Sequence, residues 1–248
     1  MPDRPILFSG PMVQALIRGD KTETRRLCKG PVPEPPAMDA IHPTNTAIHP
    51  APYLDSYCGD PMTPANPRGM SNAWCWWTRD DRQGFPTFRV PHVPGDALWV
   101  RETHQINACG SHPNWTADMV WYQADGAQIW LPKPVEYEGR CTFGLSWCPS
   151  THMPRWASRI TLTVKAVRVE RLQEIDEEGA KAEGIYWSDG FEGWTSGAGP
   201  DESCDFHMSR PVAAYEKLWD RIHGTGAWDL NPWVTVTQFS VRLGNIDG

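Results

Sequence analysis

The sequence predicts an α+β fold: a small closed or partly closed β-barrel carrying flanking helices and long irregular insertions. Three observations predict it. Residues 160–169 and 233–241 alternate apolar and polar side chains, the period of strands with one buried face. Helical periodicity is confined to short segments that never alternate regularly with strands, which argues against a doubly wound parallel sheet. Prolines crowd residues 29–94, where no helical or strand period survives because proline cannot donate to a ladder.

The elements follow in order. Ile6-Leu7-Phe8 is an extended start. Pro11 to Arg18 is a short helix, with Pro11 at a first helical position and Gly19 just past the end. Residues 21–26 (Lys-Thr-Glu-Thr-Arg-Arg) read as a polar strand. An insertion over residues 29–93 is irregular, held partly by its aromatics (Trp74, Trp76, Trp77, Phe85, Phe88). Pro94-Gly95-Asp96 is turn chemistry and leads into a buried strand from Ala97 to Glu102. A second irregular insertion, 104–150, contains one strand near Met119 to Ala124. The long strand 160–169 comes next, then a helix from Asp176 to Glu183 closed by Gly184. Residues 186–209 are rich in Gly, Ser and Asp and read as a flexible loop. Val212, Tyr215, Leu218, Trp219 and Ile222 recur at helical spacing over 211–222. Strand 233–241 completes one domain spanning residues 1–248, with no internal repeat.

Composition excludes several classes. A formal charge of −7 argues against tight, sequence-independent binding of long duplexes, which needs many cationic contacts to phosphate. No apolar run approaches the roughly 20 residues of a membrane helix. Met1-Pro2-Asp3-Arg4-Pro5 lacks a secretion signal, so the expected location is the cytoplasm, the host cytoplasm if the chain is phage-encoded. The seven Cys show no zinc-knuckle spacing; Cys109 with His112 and Cys148 with His152 come nearest, and free thiols are expected. Nothing in the pattern calls for a metal or cofactor. Fourteen Trp supply core packing and leave a few rings for stacking on a base.

The polar strand carries the chemistry. It concentrates an amine, two hydroxyls, a carboxylate and two guanidiniums where a structural strand would bury apolar side chains. If extended, it points Thr22, Thr24 and Arg26 one way and Lys21, Glu23 and Arg25 the other. Its stretch Ile17-Arg18-Gly19-Asp20-Lys21-Thr22-Glu23-Thr24-Arg25-Arg26, together with Pro94-Gly95-Asp96-Ala97-Leu98-Trp99-Val100-Arg101-Glu102, resembles the ASCH domain family of the PUA-like superfamily. His152-Met153-Pro154-Arg155-Trp156-Ala157-Ser158-Arg159-Ile160 and Trp228-Asp229-x-Asn231-Pro232-Trp233-Val234 resemble its larger phage and prophage branch. The resemblance implies a PUA-like barrel with a cleft for RNA, nucleotides or modified bases. A small bacterial branch hydrolyses the acyl amide of N4-acetylcytidine with a Lys, a Thr and a Glu. By motif these fall on Lys21, Thr24 and Glu183.

Amide hydrolysis needs a nucleophile, a proton acceptor and a group that holds the oxyanion. Thr24 is a weak nucleophile until a base activates it. Lys21 serves as that base if burial or the neighbouring Arg25 and Arg26 depress its pKa. A bend or bulge must bring Lys21 and Thr24 to one face, and Glu183 would protonate the leaving amine. Thr22, Arg26, Arg101, Glu102 and Arg155 complete the expected substrate-binding set, with Arg26 or Arg101 on an oxyanion or phosphate. Three alternatives stand beside hydrolysis. One is a non-catalytic reader of RNA or a modified base, in which Lys21 and Glu183 are a structural ion pair. Another is a ribonuclease using His152 or Lys21 as base. The last is a phage accessory protein that binds a host protein through the Trp-rich insertion.

Overall fold

Alternation at the two ends of the chain builds one sheet in a computed structural model that describes residues 3–30, 32, 53–56, 72–77, 87–107, 117–132, 146–196 and 206–248. In chain order the elements are β1 (Arg4–Leu7), α1 (Gly10–Arg18), β2 (Glu23–Leu27), β3 (Tyr53–Ser56), β4 (Ala73–Trp77), β5 (Phe88–Arg89), β6 (Ala97–Arg101), β7 (His104–Asn107), β8 (Ala117–Tyr122), β9 (Gln128–Pro132), β10 (Ile160–Arg171), α2 (Glu177–Ala182), β11 (Tyr186–Ser188), β12 (Gly193–Thr195), α3 (Pro211–His223) and β13 (Trp233–Leu243). The fold is α+β, as the patterning predicts.

The main sheet has the order β1-β6-β10-β13-β2, with β1 parallel to β6 and every other pair antiparallel. The two long alternating strands, β10 and β13, are its centre. Their register slips once between Val164 and Ala166, so Lys165 has no cross-strand partner there. β13 serves two cores. Phe239 packs with Ile6, Leu98 and Leu162 against α1, while Val234 and Val236 pack with Tyr215 and Trp219 of α3. Because successive strand residues face opposite sides, these two cores lie on opposite faces of the sheet. A third core, including Val120, Tyr122 and Trp156, holds the β7-β8-β9 sheet to the 3-10 turns before β10.

Two sequence expectations are met in part. Among the described residues no ladder joins β1 to β2, so the expected barrel is not closed by backbone hydrogen bonds. The guanidinium of Arg26 spans that seam instead, donating to the Leu7 carbonyl at 2.5 Å. The insertions are also more regular than their composition suggests. Within 29–93, β3, β4 and β5 form a three-stranded sheet; within 104–150, β7, β8 and β9 form another; within 186–209, β11 and β12 form a hairpin. Their strands are short and separated by Pro- and Gly-rich stretches, so no window is long enough to show a period. Most of the Pro-rich insertion and residues 197–205 lie outside the described residues.

Helix ends follow the sequence signals. Gly19 closes α1 in the left-handed conformation, φ +84°, and its amide donates to the Leu16 carbonyl. Asp176 caps α2, accepting from the Gly179 amide at 2.7 Å. Gly184 follows α2 at φ +98°, and a Cβ there would stand 2.9 Å from the Ala15 Cβ. Both backbone conformation and space therefore demand glycine. Gly184→Ala is expected to cost about 2–3 kcal/mol, read as a lowered midpoint in thermal unfolding.

Candidate functional site

The register of β2 on β13 sets the faces of the polar strand. Thr24 lies opposite Thr237, and Arg26 opposite Thr235, so both share the face of Phe239; Arg25, opposite Val236, takes the other face. That matches the expected division of the strand. Lys21 escapes it because the strand proper begins at Glu23. Lys21 forms an isolated antiparallel bridge with Glu183. The Thr22 amide donates to Ala182 O at 2.8 Å, tying the two segments, and the Lys21 amide donates to Ala15 O of α1 at 3.2 Å.

The end of α2 thereby covers the open edge of β2, and the Glu183 side chain completes the cover. Its Oε1 accepts from the Arg25 amide at 2.5 Å and from the Tyr215 hydroxyl at 3.4 Å. Its Oε2 accepts from Lys21 Nζ at 2.5 Å, and the same amine donates to Glu183 O at 2.7 Å. Lys21 is 0% exposed and Glu183 4%. Burial depresses the Lys21 pKa, with Arg25 and Arg26 adding to the fall and the Glu183 carboxylate opposing it. Burial next to the Glu183 charge pushes the Tyr215 hydroxyl well above its ordinary value, so it remains a donor. On the opposite side of β2, Arg25 donates to Glu170 and to the Gly179 carbonyl, and Arg168 holds Glu23 through two bonds of 3.0 and 2.9 Å.

Above this pair a cavity of about 250 Å³ occupies the seam between β1 and β2. Leu7, Thr24, Arg26, Glu183, Tyr215 and Trp219 are among its walls, with His223 at the end of α3. A neighbouring cavity of about 280 Å³ shares Ser9, Met12, Glu183, Leu218 and Ile222 with it, so the two adjoin. Thr24 is 4% exposed, and among the described residues its hydroxyl has no hydrogen-bond partner. Arg26 lies over the Phe8 ring, 5.5 Å from its centroid, and burial lowers its pKa. His223 sits against Trp219 with centroids 4.1 Å apart; burial and the Arg26 charge hold its pKa below the ordinary value.

Thr24, Glu183 and Arg26 therefore line one hollow, and Lys21 is bonded to Glu183 behind its wall. The other expected binding residues do not line it. Thr22 is exposed and is used through its backbone. Arg101 lies over Trp99 and donates to the Thr151 carbonyl. Glu102 is buried in a bidentate pair with Arg159, at 2.9 and 2.8 Å. Arg155 bridges Asp3 and Asp247 near the two ends of the chain. Glu102 and Arg155 are satisfied by partners away from the cavity, and Arg101 does not line it. Sequence reasoning missed Tyr215, Trp219, His223 and Ser9. Tyr215 and Trp219 sat in an apolar helical stripe and read as core; the available signal was that a buried tyrosine hydroxyl needs a polar partner.

Among the described residues no cluster of His, Cys, Asp and Glu has metal-binding geometry, and no helix is long and apolar enough to cross a membrane. Cys109 and His112 lie outside the described residues. Compared with family models, curated proteins and solved structures, the chain matches none.

Proposed function

We propose that the protein binds a modified nucleoside or nucleotide in the seam cavity and hydrolyses an acyl amide on its base, as an ASCH-type protein built on a PUA-like barrel that opens between β1 and β2. One observation carries this reading: the unpartnered Thr24 hydroxyl and the Glu183 carboxylate face one cavity, with the Lys21 amine bound behind the carboxylate. The cavity's size lies just under the roughly 300–1,000 Å³ of small-ligand sites, which suits one base with its acyl group better than an oligonucleotide. Trp219 and Tyr215 offer aromatic surface to the base, and Arg26 at the mouth is placed for a phosphate.

In this scheme Thr24 Oγ1 attacks the amide carbonyl carbon while its proton passes to Glu183, the member of the buried pair that lines the cavity. The C–N bond breaks, and that proton goes to the departing nitrogen. Water then cleaves the Thr24 ester, releasing the carboxylic acid and restoring the hydroxyl. Lys21 fixes the carboxylate in place and, with its ammonium form disfavoured by burial, shares its proton.

The test is release of cytidine from N4-acetylcytidine. Turnover is expected for the native chain, with kcat lowered on the order of 10³-fold or more in Thr24→Ala. Native turnover no greater than that of Thr24→Ala removes the hydrolytic half. A non-catalytic reader is favoured by one specific observation, the complete enclosure of Lys21, which suits a structural ion pair. That reading expects saturable, salt-sensitive binding of the nucleotide without product, about tenfold weaker in Arg26→Ala.

A further inference from the structure

The first turn of α1 faces the same hollow with its polar groups uncommitted. Ser9 is the N-cap residue, yet its side chain makes no capping hydrogen bond. Serine in this position ordinarily accepts from the amide two or three residues on. The first intrahelical bond runs from the Val13 amide to the Ser9 carbonyl, and Pro11 has no amide hydrogen. The amides of Gly10 and Met12 therefore have no partner within the helix. Ser9 and Met12 line both cavities. The end of a helix with free amides favours negative charge.

A second observation points to a ligand at this place. The Thr24 hydroxyl, on a side chain more than nine-tenths buried, lines the same cavity and has no partner among the described residues. The hydroxyl is open to the cavity, so a ligand there meets an uncommitted donor and acceptor. Thr24 and the α1 first turn thus stand around one space, the former offering a nucleophilic oxygen and the latter unsatisfied donors. Arg26 adds positive charge to the same walls.

We infer that the first turn of α1 is the oxyanion site of this cavity: the Ser9 hydroxyl and the Met12 amide receive the substrate carbonyl oxygen as it becomes negative, and they also bind the carboxylate product. This rests on the hydrolytic reading for its catalytic consequence, but carboxylate binding stands apart from turnover. Amide hydrolysis converts a neutral carbonyl oxygen to an oxyanion at the moment Thr24 bonds to the carbon. Donors held by a helix end need no rearrangement to meet that charge.

Ser9→Asp tests it. Aspartate is as good an N-cap as serine, so the helix is retained, but its carboxylate claims the Met12 amide and places negative charge where the oxyanion would form. With N4-acetylcytidine, kcat is expected to fall about 10²–10³-fold. Independently, titrating the native chain with sodium acetate against equal sodium chloride is expected to move the backbone amide resonance of Met12 saturably, and Ser9→Asp to abolish the movement. An unmoved Met12 resonance, or equal movement in Ser9→Asp, overturns the proposal. So does an unchanged kcat in Ser9→Asp when the native chain turns over. If the native chain releases no cytidine while acetate moves that amide, the hydrolytic reading fails and the anion site stands.

Discussion

Glu183→Ala is expected to lower the unfolding free energy by about 3–5 kcal/mol in urea titrations at neutral pH. The loss is large because the carboxylate satisfies three donors at once. Lys21 Nζ retains only the carbonyl of residue 183, while the Arg25 amide and the Tyr215 hydroxyl lose their acceptor. Lys21 has no exposed surface through which water can compensate. The pH dependence has a definite sign. Burial already holds the Lys21 pKa below its ordinary value, and removing the carboxylate removes the largest force opposing that fall. The folded state then binds fewer protons than the unfolded state, so stability rises with pH until the unfolded lysine titrates, near 10.4. The native chain gains in the same way above its own, higher folded Lys21 pKa, so the deficit of Glu183→Ala is expected to shrink as pH rises toward that value and to level off beyond it. Lys21→Met combined with Glu183→Ala is expected to recover much of the loss, since an apolar replacement leaves no stranded charge. A deficit below about 1 kcal/mol, or one that ignores pH, would contradict a buried ion pair beneath the cavity.

That pair shows where sequence patterning reaches and where it stops. The alternation of 160–169 and 233–241 located the two central strands, and Pro11, Gly19, Asp176, Gly184 and the apolar spacing of 211–222 located the three α-helices of the described residues to within a residue or two. The division of Thr24 and Arg26 from Arg25 follows from a two-residue period and holds in the sheet. The meeting of Lys21 with Glu183 did not come from any local pattern. It rested on motif resemblance, because nothing in either segment encodes a contact across so much intervening chain. Arg101, Glu102 and Arg155 looked like cleft residues because a charged group at a strand end or beside a proline has no obvious partner in its own segment. Their partners (the Thr151 carbonyl, Arg159, and Asp3 with Asp247) come from elsewhere in the chain. The same limit hid Ser9. A serine before a helix reads as an ordinary cap, and only coordinates show that it does not cap.

Arg159→Met extends the contrast between the cavity pair and a charge pair that the fold uses for itself. The Arg159 guanidinium grips both oxygens of Glu102, donates to Asp125 at 2.9 and 3.0 Å, and lies 3.9 Å from the Tyr122 ring centroid. Its loss leaves a carboxylate that is 1% exposed without a cation, at an expected cost of about 3–5 kcal/mol near neutral pH. Here the pH dependence runs opposite to that of Glu183→Ala. Burial raises the Glu102 pKa above its ordinary 4.5 even though Arg159 pulls it down. For an acid whose folded pKa is raised, the folded state holds the proton longer. The contribution to stability is complete below the unfolded pKa and is lost as pH rises through the folded one. Removing Arg159 takes away the two influences that lower the Glu102 pKa, so the window of loss widens upward. Unfolding free energies of the native chain and of Arg159→Met are expected to lie closer at pH 5 than at pH 8, each additional pH unit in the folded pKa widening the final gap by about 1.4 kcal/mol. Cytidine release at pH 5–6, where the variant remains folded, is expected to stay within about threefold of the native rate, because Glu102 and Arg159 do not line the cavity. A gap independent of pH would mean that water reaches Glu102. A collapse of turnover in the folded variant would mean that this second pair acts on the site after all.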